Sequence, residues 1–177
     1  MQSKKFQMSL LDPIFANIPG YPCAFSPDRR YRYVLWRIWS SRPPERIFMV
    51  IGLNPSTADE EQDDPTIRRC VTFSRREMCD ALLMTNIFAF RATKPEEMKA
   101  AGTQAIGDDN DAWLARCASL ATHIVACWGV HGEFLNRGTY VRNLIQNLQC
   151  FGKTKNGHPK HPLYLPRTAE LIPYSGI

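Results

Sequence analysis

The sequence lacks the features that define several large classes of protein. None of its six cysteines belongs to a CxxC pair, and Asp12 and Pro13 interrupt the only apolar segment near the amino terminus. No apolar run approaches the roughly 20 residues that a membrane-spanning helix needs. The sequence therefore predicts a reduced, cytoplasmic protein that has no membrane partner.

Other absences concern domain organisation and cofactors. The 177 residues contain no internal repeat, no low-complexity tract and no dividing linker, so we expect a single domain spanning residues 1–177. His158 and His161 lie three positions apart, but prolines interrupt the segment and no third ligand stands at a recognised spacing. Neither a metal nor another cofactor is predicted.

The charge of the chain is moderately basic. A formal net charge of +5 and a pI near 9.0 favour an anionic partner such as nucleic acid or a nucleotide. Five acidic residues nevertheless fall within the six positions 59–64. The sequence does not predict an oligomeric state.

Short apolar runs alternate with segments of helical character. The predicted strands span residues 46–53, 80–88, 122–129 and 148–152, and the predicted helices span residues 64–78, 107–121 and 132–148. This alternation predicts an α/β fold, a three-layer α/β/α sandwich with a short, mostly parallel four-stranded sheet. Residues 1–45 differ, because aromatic residues alternate with arginine around Ser26-Pro27-Asp28, which predicts an N-terminal β-hairpin extension.

Polar residues follow the predicted strands at the edge where α/β proteins bind ligands. Asn54 and Ser56 follow the first strand, and Asn86 comes just after the apolar run "ALLMT" of the second. Asn54 could instead be a turn residue, and Asn86 could belong to a buried structural network. Ser56 lacks the GxSxG context of a nucleophile. Cys70 and Cys79 have no metal spacing and are expected to be buried thiols.

Four of these segments together resemble a known family. They are "IGLNPS" (51–56), "ALLMTNIFAFRATKP" (81–95), "IVACWG" (124–129) and "HPKHPLY" (158–164). In this order, across a core of residues 46–166, they resemble the motifs of the uracil-DNA glycosylase superfamily, and within it they look most like the DUF1643 group. The resemblance implies a uracil-DNA glycosylase-like sheet and hydrolysis of the N-glycosidic bond to a nucleobase.

The resemblance also implies roles for individual residues. Asn54 would hold the attacking water through its side-chain carbonyl, although a neutral amide cannot stabilise positive charge on the sugar as a carboxylate would. His161, or else His158, would donate a hydrogen bond to the departing base. The candidates for base binding are Asn86, Ser56, Phe73 and Phe88, and the candidates for phosphate binding are Arg91, Lys153, Lys155 and Lys160.

This sequence departs from the superfamily pattern in two places. Lys160 separates two His-Pro pairs, so either histidine could match the motif, and Leu163 and Tyr164 are the candidates for a wedge that enters duplex DNA. The acidic run at 59–64 would repel phosphates. Its charge could be neutralised by arginines, could bind a cation, or could recognise an amine on the ligand.

Two members of the acidic run are candidates for a direct role in catalysis. Asp59 or Asp63 could supply the negative charge that Asn54 lacks. The arginines expected to neutralise the run are Arg68, Arg69 and Arg91. Three functions therefore stay open: an N-glycosylase acting on DNA or a nucleotide, a non-catalytic module that binds nucleic acid or nucleotides, and an enzyme acting on a nucleoside-like small molecule.

Overall fold

The computed structural model of the chain describes residues 23–56, 58 and 62–175. Seven strands lie in this part: β1 Cys23–Phe25, β2 Arg32–Ile38, β3 Ile47–Gly52, β4 Ala81–Asn86, β5 His123–Ala126, β6 Gln149–Cys150 and β7 Ile172–Pro173. Four α-helices accompany them: α1 Pro65–Arg76, α2 Pro95–Ala100, α3 Asn110–Leu120 and α4 Arg137–Leu144. Three 3-10 helices span Gly102–Ala105, Val130–Asn136 and Pro162–Tyr164.

The strands form one mixed sheet in the order β1-β2-β4-β3-β5-β6-β7. The four central strands, β4, β3, β5 and β6, are parallel, whereas β1, β2 and β7 pair in the antiparallel sense at the two sides. The α/β class is therefore confirmed. The sheet has seven described strands instead of the predicted four, because the hairpin and a C-terminal strand extend it.

The hairpin of β1 and β2 is a part of this sheet and not a separate flanking unit. Strand β2 pairs with β4 over four residues, from Leu35 opposite Met84 to Ile38 opposite Ala81. Ser26 forms the predicted turn, since its hydroxyl donates to Asp28 at 2.6 Å and accepts from the Tyr31 amide at 3.0 Å. Residues 1–22 of the predicted extension lie outside the described residues.

Apolar side chains of the central strands point to both faces of the sheet. On β3, Met49 and Ile51 belong to one core cluster, and Phe48 and Val50 belong to another. Helix α1 packs on the second cluster, while α2, α3 and α4 contribute to the first. A strand that is covered on both faces has a continuous apolar sequence. The central strands could therefore be predicted from their apolar runs.

Two predicted helices match the structure closely, and a third is shorter than expected. The segment predicted as 132–148 contains a 3-10 helix followed by α4, Arg137–Leu144. Leu135 and Asn136 adopt left-handed backbone conformations, with φ of 53° and 54°, and so separate the two. Helix α2 and strand β7 were not predicted, since each is too short to show a periodic pattern. No described helix is long and apolar enough to cross a membrane.

Helix α1 begins as the sequence predicts. Asp64 is the N-cap, and its carboxylate accepts a hydrogen bond from the Ile67 amide at 2.8 Å. Pro65 occupies the first helical position, where the missing amide hydrogen costs nothing. The cap fixes the direction in which the chain leaves the acidic run.

We expect Asp64→Ala to lower the free energy of unfolding by about 1 kcal/mol, because one amide of the first helical turn loses its acceptor. Asp64→Asn should cost much less, since an asparagine oxygen can accept the same hydrogen bond. Urea denaturation of both variants checks this. Equal destabilisation by alanine and asparagine would show that the charge, not the cap, matters.

Candidate functional site

A cavity of about 550 Å³ opens at the carboxyl ends of β3 and β4, and we call it the site cavity. Its volume lies within the range of typical small-molecule sites, roughly 300–1,000 Å³. The lining residues are Arg32, Gly52, Leu53, Asn54, Ser56, Asp64, Pro65, Thr66, Ile67, Met84, Asn86, Ala92, Thr93, Pro95, Trp128, Gly129, Val130, His131, His161, Leu163 and Tyr164. The cavity therefore lies at the carboxyl edge of the sheet, where the sequence predicts that a ligand binds.

Gly52 makes room for Asn86 at the floor of the site cavity. The two residues are direct neighbours on the parallel strands β3 and β4. A Cβ atom at position 52 would lie 2.7 Å from Asn86 Oδ1 and 2.8 Å from Met84 Cε, which is too close for either contact. Only glycine leaves the Asn86 amide in its present position.

The Asn86 side chain is buried, and neither of its polar atoms has a hydrogen-bond partner among the described residues. Its backbone, by contrast, is held firmly. Asn110 Nδ2 donates to the carbonyl oxygens of Asn86 and Ile87, both at 3.1 Å. Arg137 Nε donates to the same Ile87 carbonyl oxygen at 2.8 Å. The structure therefore fixes the end of β4 and leaves one buried donor and one buried acceptor at the cavity wall.

Asn54 is oriented by its amide nitrogen. Nδ2 donates to the carbonyl oxygen of Pro55 at 3.1 Å and to that of Ala92 at 2.7 Å. Because an amide nitrogen carries two hydrogens, both are then in use. The oxygen Oδ1 is the part of the side chain that can accept a hydrogen bond from a bound water or ligand.

His161 lines the site cavity, and a backbone hydrogen bond sets the tautomer of its neutral ring. Its Nδ1 accepts a hydrogen bond from the Leu163 amide at 3.3 Å, so in the neutral ring Nε2 carries the proton. Burial lowers the pKa of His161 below its ordinary value, and the nearby Asp64 carboxylate opposes this shift in part. At neutral pH the imidazole is therefore uncharged and can donate one hydrogen bond from Nε2.

His158 lies apart from His161. It lines a second cavity of about 280 Å³, together with Glu133 and Arg142. There its Nε2 lies 2.8 Å from a carboxylate oxygen of Glu133. Trp128 contributes to the walls of both cavities. Of the two histidines that the sequence could not distinguish, only His161 lines the site cavity.

The two phenylalanines expected to stack on a base are core residues. Phe73 lies on α1 and stacks on Phe151 with a centroid distance of 4.2 Å. Phe88 is fully buried in the core, and its ring centroid lies 5.7 Å from that of Phe134. Neither lines the site cavity, because Phe73 on α1 and Phe88 in the segment after β4 both pack into the hydrophobic core. The aromatic rings that line it are Trp128, Tyr164, His131 and His161.

The site cavity also lacks the four basic residues expected to bind phosphate. The guanidinium of Arg91 lies 5.0 Å from the Phe25 ring, and the ammonium of Lys153 lies 5.5 Å from the Tyr174 ring. Lys155 and Lys160 are exposed. None of the four is among the described residues that line the cavity. The arginine that lines the cavity is Arg32, which no pattern in the sequence indicated.

The acidic run is only partly described. Asp59, with Glu60 and Glu61, lies outside the described residues, so the structure does not locate it. Asp63 pairs with Arg37 of β2 at 2.8 Å, and its backbone carbonyl accepts from Arg68. Neutralisation by arginine therefore applies to Asp63, but the main partner comes from the hairpin and was not among the three expected.

The arrangement of the described histidine, cysteine and acidic side chains bears on metal binding, and the burial of the cysteines bears on thiol reactivity. The described residues contain no group of three or more His, Cys, Asp or Glu side chains arranged to hold a metal ion. All six cysteines are buried thiols, as expected for Cys70 and Cys79. Burial raises the pKa of Cys70 and Cys117 to about 12, which suppresses the reactive thiolate.

Sequence reasoning missed several residues that line the cavity. Trp128 and His131 belong to the segment after β5, and the motif "IVACWG" includes Trp128 but indicated no role for it. Two glycines fit closely against Trp128, since a Cβ at Gly132 or Gly138 would collide with the indole. The spacing of these glycines after "WG" was the available signal. No comparable signal marked Arg32.

Residues 32–163 match a family described as "Protein of unknown function (DUF1643)". The chain belongs to the DUF1643 family. The matched region contains every lining residue of the site cavity except Tyr164. No curated protein and no solved structure matched this DUF1643 chain. Membership of the DUF1643 group is therefore confirmed, and the wider resemblance to uracil-DNA glycosylases stays a prediction.

Two buried asparagines of this DUF1643 protein should differ in their contribution to stability. Asn86→Ala removes no hydrogen bond, so we expect the free energy of unfolding to stay within about 0.5 kcal/mol or to rise. Asn110→Ala, the matched control, deprives two buried carbonyls of their donor and should cost about 1–3 kcal/mol. Urea denaturation measures both. A comparable loss in the two variants would show that Asn86 also has partners in the free protein.

The imidazole of His161 should titrate below the ordinary histidine pKa of about 6.5, because burial disfavours its charged form. The ring is then neutral at pH 7 and becomes protonated only on acidification. Asp64→Asn should lower this pKa further by removing the carboxylate that favours the imidazolium. An NMR titration of the histidine rings checks both shifts. A value above 6.5, or an increase in the variant, would contradict the described environment.

Proposed function

We propose that this DUF1643 protein binds a nucleobase in the site cavity and hydrolyses the N-glycosidic bond that joins it to a sugar in DNA or in a nucleotide. The observation that carries the proposal is the buried amide of Asn86, whose donor and acceptor have no partner among the described residues. The protein retains this unfavourable arrangement at a cavity wall, where a ligand can complete it.

Asn86 has the polar groups needed to read one edge of a base. Its Nδ2 donates and its Oδ1 accepts, so a base with an adjacent acceptor and donor would satisfy both atoms together. Leaving them unsatisfied costs about 1–3 kcal/mol for each buried group. A ligand that forms both hydrogen bonds recovers this free energy on binding, which favours bases of matching pattern over others.

Asn54 would hold the attacking water. Its Nδ2 is occupied by two carbonyl oxygens, so Oδ1 is left to accept a hydrogen from the water. In the reaction the sugar–nitrogen bond breaks with its electron pair going to the base. The water oxygen bonds to the sugar carbon, its proton passes to solvent, and the base takes up a proton. Because Asn54 is neutral, it positions the water and stabilises the cationic sugar only weakly.

His161 would stabilise the departing base. A neutral imidazole with its proton on Nε2 can donate to a base oxygen as negative charge builds there. The hydrogen bond from Leu163 to Nδ1 holds the ring in the required tautomer. In place of Phe73 and Phe88, Trp128 is the aromatic side chain of the cavity that is held rigidly, and we assign to it the stacking role.

Two features of the cavity mouth bear on the substrate. Leu163 and Tyr164 are 40% and 84% exposed although they line the cavity, as side chains that enter a DNA duplex would be. The four basic residues expected at phosphates are absent from the described lining, which favours a second candidate, an enzyme that acts on a nucleoside-like small molecule. The third possibility is a protein that binds its ligand without hydrolysing it, and the assay must distinguish this protein from the two enzymes.

The test is an assay of base release. The protein is incubated with single-stranded and duplex oligonucleotides that carry uracil, hypoxanthine, a mismatched base or a hypermodified base, and with the corresponding nucleosides and nucleoside monophosphates. Abasic sites and free bases are measured. We expect release from at least one substrate, a rate about 100-fold lower for Asn54→Ala because the water is misplaced, and an altered base preference for Asn86→Asp.

Asn156→Ala is the control, because Asn156 lies on an exposed turn away from the cavity and its loss should leave the rate unchanged. Full activity of Asn54→Ala would remove the water-positioning role. Tight binding of a substrate with no release of any base would contradict hydrolysis and establish the binding module.

A further inference from the structure

Three arginines are buried in the described part of the chain, and two of them are neutralised by a carboxylate. Arg37, 9% exposed, pairs with Asp63 at 2.8 Å. Arg137, 3% exposed, pairs with Asp111. A buried charge without such a partner is strongly unfavourable. The carboxylates of Asp63 and Asp111 therefore offset the cost of burying these two guanidinium groups.

Arg32 is the exception. It is 2% exposed, and among the described residues no carboxylate forms an ion pair with it. Its Nη1 donates to the carbonyl oxygen of Ala58 at 2.5 Å, and its buried Nε has no hydrogen-bond partner in the part of the chain that the structure describes. One neutral carbonyl does not balance a guanidinium charge. Among the described residues, the side chain therefore lacks a full counter-charge for its buried guanidinium.

Arg32 remains charged in this position. Burial lowers the pKa of its guanidinium to about 10, an effect that nearby Cys23 and Asp64 offset only in part, while Arg91 and Arg37 add to it. A pKa of about 10 still leaves the group protonated at neutral pH. Asp64 is the described carboxylate that shares the site cavity with it, and that carboxylate already caps helix α1 through the Ile67 amide.

The position of Arg32 brings its charge to the proposed base-binding end of the cavity. Arg32 begins β2, and its amide donates to the Ala89 carbonyl at 2.9 Å, just beyond the end of β4. Asn86 ends β4, so both residues lie at the same edge of the sheet. Arg32 is also a lining residue of the site cavity. Two buried groups with unmet polar requirements thus share one cavity.

We propose that Arg32 is an anion-binding residue of the site cavity, and that the ligand carries a phosphate or carboxylate group which pairs with the guanidinium. A guanidinium presents a planar fork of donors that matches either group through two parallel hydrogen bonds. The anion comes either from the 5′-phosphate of a nucleotide or from an acidic substituent on the base. The choice of nucleobase ligands rests on the proposed function, whereas the anion preference does not require catalysis.

The experiment compares two matched pairs of ligands by isothermal titration calorimetry on the full chain. One pair is deoxyuridine and its 5′-monophosphate, and the other is uracil and uracil-6-carboxylate. In the wild-type protein we expect the charged member of at least one pair to bind roughly tenfold or more tightly than its neutral counterpart. The pair that shows the preference identifies the source of the anion.

Arg32→Gln should abolish that preference, and Arg32→Lys should retain only part of it, because a lysine keeps the charge but loses the planar fork. Arg75→Gln is the control, since Arg75 is an exposed arginine in the last turn of helix α1 that is not among the lining residues of the cavity, and its loss should leave the preference intact. If Arg32→Gln fails to fold, Arg32→Lys decides the matter, because an undiminished preference there overturns the pairing with the guanidinium fork.

The proposal is overturned if neither charged ligand is preferred by the wild-type protein, or if the preference survives in Arg32→Gln. Either result leaves the proposed hydrolysis untouched, since base release is measured separately. Conversely, an anion preference that depends on Arg32 without release of any base would support the anion site and contradict the hydrolase.

Discussion

The close pairing of Gly52 with Asn86 is the constraint on which the candidate site depends. Parallel strands β3 and β4 end side by side, and the absence of a side chain on one gives the other room for a buried amide. The amide then faces the cavity with both polar atoms unsatisfied among the described residues. The rest of the site is arranged around this fixed point, with Asn54 on the loop that leaves β3.

The surrounding structure holds this point through hydrogen bonds to the backbone around it. Asn110 and Arg137 bind the backbone at the end of β4, and Arg137 is in turn neutralised by Asp111. Arg37 joins the hairpin to the acidic run through Asp63. Of the buried side-chain polar atoms that have no partner among the described residues, those that belong to lining residues of the site cavity are on Asn86 and Arg32.

Local chemistry explains which parts of the site could be foreseen. Asn54 and Asn86 could be found because each comes at the end of an apolar run, and the carboxyl ends of parallel strands meet at one edge of an α/β sheet. Asp64 was assigned as a helix cap because capping depends only on residues three positions apart. The partner of Asp63 could not be foreseen, since Arg37 lies 26 positions away on a hairpin that joins the sheet through β4.

The sequence by itself determined the α/β class, the central strands, the start of helix α1 and the DUF1643 resemblance. Each of these depends on residues that lie close together along the chain. Only the tertiary structure decided which side chains share the cavity. It separated His161 from His158, turned Phe73 and Phe88 into the core, and brought Arg32 to the cavity wall. Those outcomes depend on strand order and on the packing of distant segments, and no local spacing encodes them.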